Sequence, residues 1–324
     1  MTQPADTIDL RAFRFGVEIE TVRRSRQQVA EAVQSVVGGS VRHVGSPSCY
    51  DPWVVTDERG REWHVVADSA LVDVPMSQRG EVVTPILAYE DISDLQEIVR
   101  AVRRCGARAT AHCGIHVHVG AERFDARALT SLSRIVYKQE DLIFAALGVQ
   151  EGRKDRYCRP MDERFAEGIT GRPARSPERI KRLWYGGRNG DAGQRYSSTR
   201  YRGLNLHSVW FRGTIEFRYF EGSLHAGKVK TCVQFALALC AKALNTPNAR
   251  WRKKRVGGSS KYDFRVFLLH LGLIGDEFKT ARKFLLERLA GSAAWKNGRP
   301  PREKKEEAEK ADVGRADEGA GGAP

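Results

Sequence analysis

Three segments of this chain alternate apolar and polar residues with a period of two, and their polar positions carry an unusual set of side chains. In Phe13-Arg14-Phe15-Gly16-Val17-Glu18-Ile19-Glu20 the odd positions are all apolar, and the even ones include Arg14, Glu18 and Glu20. In Gly114-Ile115-His116-Val117-His118-Val119 the odd positions are again apolar; His116 and His118 are even, with His112 in phase upstream. In Phe211-Arg212-Gly213-Thr214-Ile215-Glu216-Phe217-Arg218-Tyr219 the even positions are Arg212, Thr214, Glu216 and Arg218. Successive side chains of a strand point to opposite faces, so each segment predicts a strand with one apolar and one charged face. Such alternation belongs to an antiparallel sheet with helices on one face and water on the other.

The rest of the chain supplies those helices. Arg23 to Val37 reads as an amphipathic helix ended by Gly38 and Gly39. Asp91 to Cys105 places Ile92, Leu95, Ile98, Val99 and Val102 on one face. Asp125 is placed to cap a long helix to about Leu147. His225 to Leu244 reads as a further helix, and helical pattern continues at 262–273 and 276–290. Ala111 to Gly120 reads as a strand and Leu204 to Phe220 as one or two strands, with short strands and turns over 40–88. The expectation is an α+β fold: a curved, mainly antiparallel sheet with helices on one face and the active site on the other.

A solvated sheet face would mix Lys, Thr, Ser and Gln. Carboxylates crowded on neighbouring strands repel each other unless a cation lies between them. The bland alternative is a structural charge network. The sharper one is a divalent-metal site, and carboxylates with an occasional imidazole suit Mg²⁺ or Mn²⁺. Two or more such ions beside an arginine form a receptor for a polyphosphate.

Composition narrows the class. Of 324 residues, 41% are hydrophobic and 29% charged, as in ordinary globular proteins. No apolar run is long enough to cross a bilayer. Met1 to Leu10 has no apolar secretory core, so a cytoplasmic location is expected. The six cysteines form no CxxC pair, which argues against a structural zinc site; Cys232 and Cys240 sit in an apolar run and read as core. Of the net charge of +14, half sits in residues 151–202, a basic segment with 14 Lys and Arg against seven Asp and Glu. The expected organisation is a lead-in at 1–12 and a catalytic domain at 13–296, of which 13–245 bears the motifs and 246–296 is helical. Residues 297–324, almost without large apolar residues, are expected to be a disordered charged tail.

Four motifs then stand in order: Phe-Gly-Val-Glu-Ile-Glu, Gly-Glu-Val-Val-Thr-Pro-Ile-Leu at 80–87, Gly-Ile-His-Val-His and Thr-Ile-Glu-Phe-Arg. Over about residues 13–245 the chain resembles the amidoligase family, part of the glutamine synthetase-like carboxylate–amine ligase superfamily. The resemblance implies a glutamine synthetase catalytic-domain-like fold. It implies metal ligation by Glu18, Glu20, Glu81, His116 and Glu216, with two or three Mg²⁺ ions (or Mn²⁺) bridging the phosphates of ATP. It implies catalytic roles for Arg218, Glu216 and His118, and nucleotide contacts from Arg218, His118, Arg212 and Arg202. Arg218 would face the transferring phosphoryl group. The substrates would be a small-molecule or peptide carboxylate and an amine, joined through an acyl phosphate. The family's Asp-Gly-Ser-Leu element here reads Asp68-Ser69-Ala70-Leu71, which leaves the role of Asp68 open.

The basic segment, with Arg153, Arg156, Arg159, Arg195, Arg200 and Arg202, is a candidate cover that holds phosphate or substrate carboxylates. Asn205 is a candidate to orient the substrate. The chemistry leaves three rivals. A metal-dependent amide hydrolase could use the same carboxylate and imidazole set. A cysteine hydrolase would need Cys113 or Cys158 beside a base, yet Cys113 falls on the apolar face. A nucleic-acid-binding role would use the basic segment with Tyr157, Trp184, Tyr185, Tyr196 and Tyr201, but no nucleic-acid motif is present and this partner is disfavoured. No membrane partner is expected, and the oligomeric state is left open.

Overall fold

The sheet is built from hairpins and long returns whose alternating residues fix which face each strand buries. A computed structural model describes residues 7–45, 50–171, 174, 176–187, 192–253 and 258–298. The strands are β1 (Phe15–Thr21), β2 (Ser40–His43), β3 (Trp53–Thr56), β4 (Glu62–Val66), β5 (Gly80–Val83), β6 (Gly114–Gly120), β7 (Leu204–Asn205) and β8 (Thr214–Glu221). They form one eight-stranded sheet in the order β2-β3-β4-β5-β1-β6-β8-β7, and every pair is antiparallel. Three motif strands are therefore neighbours at its centre, and the segment at 80–83 is the fourth.

The apolar face is closed by helices. Phe15, Val17, Ile19, Ile115, Val117, Val119, Ile215 and Phe217 are all buried there. Helix α1 (Arg26–Val37) lies against β2–β5, and α8 (Ala226–Leu244) against β6. Val29, Ala30 and Val33 of α1 and Val233 to Ala241 of α8 supply the opposing surface. Helix α2 (Ile92–Arg104) joins α1 to α8, and α3 (Ala126–Leu147) packs on α8 and β8. The α+β expectation therefore holds: antiparallel sheet, helices on one face, charged residues on the other.

Helix ends follow local chemistry. Ser25 forms a reciprocal capping box with Gln28 at the start of α1, and Asp125 accepts from Ala128 N at the start of α3. Gly39, at φ 72°, passes so close to β3 that an added Cβ would meet Thr56 O at 1.9 Å. The basic segment contributes α4 (Glu151–Arg156), α5 (Glu163–Gly171) and α6 (Pro177–Trp184). Beyond α8 come α9 (Ser260–His270) and α10 (Lys279–Leu286). Among the described residues no helix is long and apolar enough to cross a membrane. The expected tail falls outside the described residues from 299 onward.

Two details correct the strand reading. Leu204 to Phe220 holds two strands, β7 and β8, but a helix, α7 (His207–Arg212), that alternation did not predict stands between them. Asn205 Oδ1 accepts from His207 N, and Gly213 takes the left-handed conformation that ends the helix. Arg212 and Phe211 are thus helical. His112 lies in a turn before β6, exposed, with its Nε2 3.7 Å from an Asp73 carboxylate oxygen.

Candidate active site

The register of the central strands stacks the polar side chains in rows. Glu20 is paired with Glu81, Glu18 with His116, and His118 with Glu216. Asn205 is paired with Glu216 on the next strand. Between β6 and β8 the register shifts, so that Ile115 faces Phe220 while Val117 faces Phe217. This bulge falls at Arg218 and Tyr219 of β8, and bulges of this kind re-aim a side chain beside a site. Arg218 N donates to Gly203 O at 2.8 Å, and its Nε donates to Tyr157 O at 3.2 Å.

The five expected metal ligands come together, joined by Asp68 and His118. Three groups each bring ligand atoms within 4.8 Å of one another: Glu18 with Glu81 and His116; Glu18 with His118 and Glu216; and Glu20 with Asp68 and Glu81. Ordinary hydrogen bonds do not exhaust these atoms. His116 Nδ1 lies 3.0 Å from Glu18 Oε2, but its Nε2 is buried without a hydrogen-bond partner among the described residues, 3.7 Å from Glu20 Oε1. His118 Nδ1 lies 3.0 Å from Thr214 Oγ1, which itself contacts Ser208 Oγ at 2.8 Å. His118 Nε2 is likewise buried and unpartnered among the described residues, 3.5 Å from Glu18 and 3.9 Å from Glu216. Buried polar atoms are rarely left this way. Hard carboxylate oxygens with imidazole nitrogens aimed between them fit Mg²⁺ or Mn²⁺.

The electrostatics are those of a site short of positive charge at its centre. Desolvation, together with Asp68, raises Glu20 to about 7 despite attraction to Arg153 and donation from Gly114 N at 2.7 Å. Desolvation and then Glu18, Glu20 and Asp68 push Glu81 well above the usual carboxylate range. Glu18 and Glu216 are desolvated too, but go the other way. His118 and His116 hold Glu18 well below its ordinary value, and Arg218 with His118 holds Glu216 down to about 2. Burial lowers His116 to about 4, aided by Arg218, so its ring is neutral at pH 7 and free to ligate. His118 is also desolvated, yet Glu216 and Glu18 raise it.

Around the acidic floor stands a basic and aromatic wall. Arg218 pairs with Glu216, whose other oxygen accepts from Asn205 Nδ2 at 2.6 Å. Arg212 reaches Glu18 at 3.1 Å from the end of α7. Arg195 lies over the rings of Tyr50 (5.4 Å) and Tyr196 (5.6 Å). Arg200 lies over Tyr196 (5.8 Å) and Tyr201 (5.6 Å), and Arg218 over Tyr201 (5.9 Å). These cation–π contacts form a ladder from the loop after β2 down to the floor. Tyr50 had no motif to mark it.

Several candidates lie elsewhere. Arg202 does not line the cleft: it donates to Pro160 O at 2.9 Å, pairs with Asp162 at 3.0 Å and covers Trp184. Arg159 is bonded to the carbonyls of Tyr201 and Ser198. Of the rings considered for nucleic acid, Trp184 and Tyr185 are buried in the core, whereas Tyr157, Tyr196 and Tyr201 line the cleft. Cys113 and Cys158 are both fully buried, and burial raises their thiols, Cys158 to about 11, which removes the thiolate a nucleophile needs.

The family model described as "Putative amidoligase enzyme" matches residues 11–240, and the chain belongs to that family. That span holds every strand and every cleft residue named above. A crystal structure of a bifunctional glutathione synthetase from Pasteurella multocida is similar at a TM-score of 0.41 and 11% identity, covering 85% of this chain. The chain spans about half of that enzyme, 47% of its length. No curated protein matches the chain.

Proposed function

We propose that this protein is an ATP- and magnesium-dependent carboxylate–amine ligase that forms an amide through an acyl phosphate. The observation that carries the reading is the triple group of carboxylates and imidazoles on one sheet face, with two orphaned imidazole nitrogens and a buried arginine beside it. Membership of the amidoligase family supports it. Glu18, Glu20, Glu81, His116 and Glu216, joined by His118 and Asp68, would hold Mg²⁺ ions, whose chemistry is to neutralise and align the phosphates of ATP.

The chain's own groups do the rest. Arg218, fixed by Glu216 and the Tyr157 carbonyl, stabilises charge on the transferring γ-phosphoryl group. Asn205 holds the outer oxygen of Glu216 and so keeps both residues in register. The substrate carboxylate oxygen attacks the γ-phosphorus and ADP leaves. The amine nitrogen then attacks the acyl carbon, loses its proton and expels phosphate. The Tyr–Arg wall shields the acyl phosphate from water.

The test is calorimetric titration of ATP into the folded protein with excess Mg²⁺, and again with EDTA. Binding only with Mg²⁺, followed by ADP and phosphate release on screening carboxylate–amine pairs, is the expected result. Amide hydrolysis without nucleotide consumption would instead identify a metal hydrolase.

A further inference from the structure

The cleft arginine Arg153 forms no ion pair among the described residues, although its charge acts on Glu20. Arg153, on α4, is 6% exposed, and among the described residues its Nε and Nη2 have no hydrogen-bond partner. Those two nitrogens are the parallel donors of one edge of a guanidinium, the fork that takes both oxygens of a carboxylate or phosphate. Leaving two buried charged donors unmade is costly. Arg212 and Arg218, by contrast, are paired with Glu18 and Glu216.

The sheet makes room for this side chain. Gly114 occupies the β6 position beside Glu20, and a Cβ there would meet Arg153 Nη2 at 2.0 Å. The guanidinium thus fills the space that a side chain at 114 would take, against the Glu20–Glu81 row. His116, two residues on, begins the row that holds Glu18 and lies beside Arg218. Rows two residues apart are separated by roughly 7 Å along a strand. An anion on the Arg153 fork and a phosphoryl group on Arg218 would therefore be neighbours on one face.

We propose that the Arg153 fork is the receptor for a two-oxygen anion of the reaction, the reacting carboxylate of the acyl substrate; the phosphoryl group shares this chemistry and is the other source. This deepens the ligase reading and rests on it for the identity of the anion, but the receptor itself rests on Arg153 alone. A lysine cannot replace it, because an ammonium has no fork.

The experiment uses the full chain, with glutarate and, separately, inorganic phosphate as probes by calorimetry, in Mg²⁺ with a non-hydrolysable ATP analogue. Glutarate binding to the native chain is expected to weaken by roughly tenfold or more in both Arg153→Ala and Arg153→Lys. Affinity for Mg·ATP should stay unchanged in Arg153→Lys, which keeps the charge beside Glu20. Arg153→Lys keeps charge and length, so it serves if the alanine variant does not fold, as checked by circular dichroism. Loss of phosphate and Mg·ATP affinity with glutarate binding intact supports the receptor and assigns it to the phosphoryl source. Native binding of neither probe, or folded variants that bind both as the native chain does, overturns the proposal. Arg153-dependent glutarate binding by a chain that never binds Mg·ATP would leave the receptor standing and sink the ligase reading instead.

Discussion

Replacing Glu20 by glutamine should make the metal-free protein more stable and the enzyme inactive. Glu20 is 6% exposed and stands beside Asp68 and Glu81. Desolvation and Asp68 raise it from its ordinary 4.5 to about 7, after the opposing pull of Arg153 and Arg218 is included. Folding therefore shifts the balance toward the neutral form by about 3 kcal/mol relative to the unfolded chain. A carboxyl group raised in this way binds its proton more tightly when folded. It costs nothing at low pH, costs more as pH rises from 4.5 toward 7, and costs about 3 kcal/mol above that. Glutamine resembles the protonated side chain and can still accept from Gly114 N. In urea unfolding with EDTA, Glu20→Gln should exceed the native chain by about 3 kcal/mol at pH 8 and by about 1 kcal/mol or less at pH 5. With Mg²⁺ and ATP the order should reverse, because ligands that bind only the folded state stabilise the native chain more. ATP turnover should be lost. A variant less stable than the native chain at pH 8 in EDTA would refute the reasoning, since it would make Glu20 part of a structural charge network with Arg153 and Arg218.

Two further outcomes follow from buried hydrogen bonds. Asn205→Ala removes the donor to Glu216 Oε2 and the acceptor of His207 N, so Mg·ATP affinity should fall roughly tenfold and stability by about 1–3 kcal/mol. Calorimetry and urea unfolding read the two effects separately, and unchanged nucleotide affinity would show that Asn205 only supports α7. Asp57 is buried, which would raise it, yet donation from Arg61 N, Trp63 Nε1 and the Arg61 guanidinium holds it below its ordinary value. A carboxylate depressed in the fold contributes stability above its unfolded pKa and loses it as pH falls through the folded one. Asp57→Asn should therefore lower stability at pH 7 and flatten its fall below about pH 4, measured by thermal unfolding across pH; an unaltered acid limb would count against the role of this network.

The sequence by itself determined the sheet faces and most of the floor of the site. Period-two alternation assigns Glu18, Glu20, His116, His118 and Glu216 to one face regardless of how the strands are ordered, because side-chain direction along a strand is local. The Asp125 cap was legible for the same reason. What alternation cannot give is which strands are neighbours or in what register. Only pairing brings Glu81 beside Glu20 and Asn205 beside Glu216, and only the bulge at Arg218 turns that side chain as it lies. The helix at 207–212 escaped a reading by alternation because a short turn of apolar and polar residues matches both periods. The wall was the least legible part. Tyr50, Arg153, Arg195 and Arg200 come from loops and short helices without periodicity, far apart in the chain, and their meeting over the carboxylates is decided by tertiary packing alone. A solvated arginine and one sealed over Gly114 look alike in sequence, and burial is what separates them.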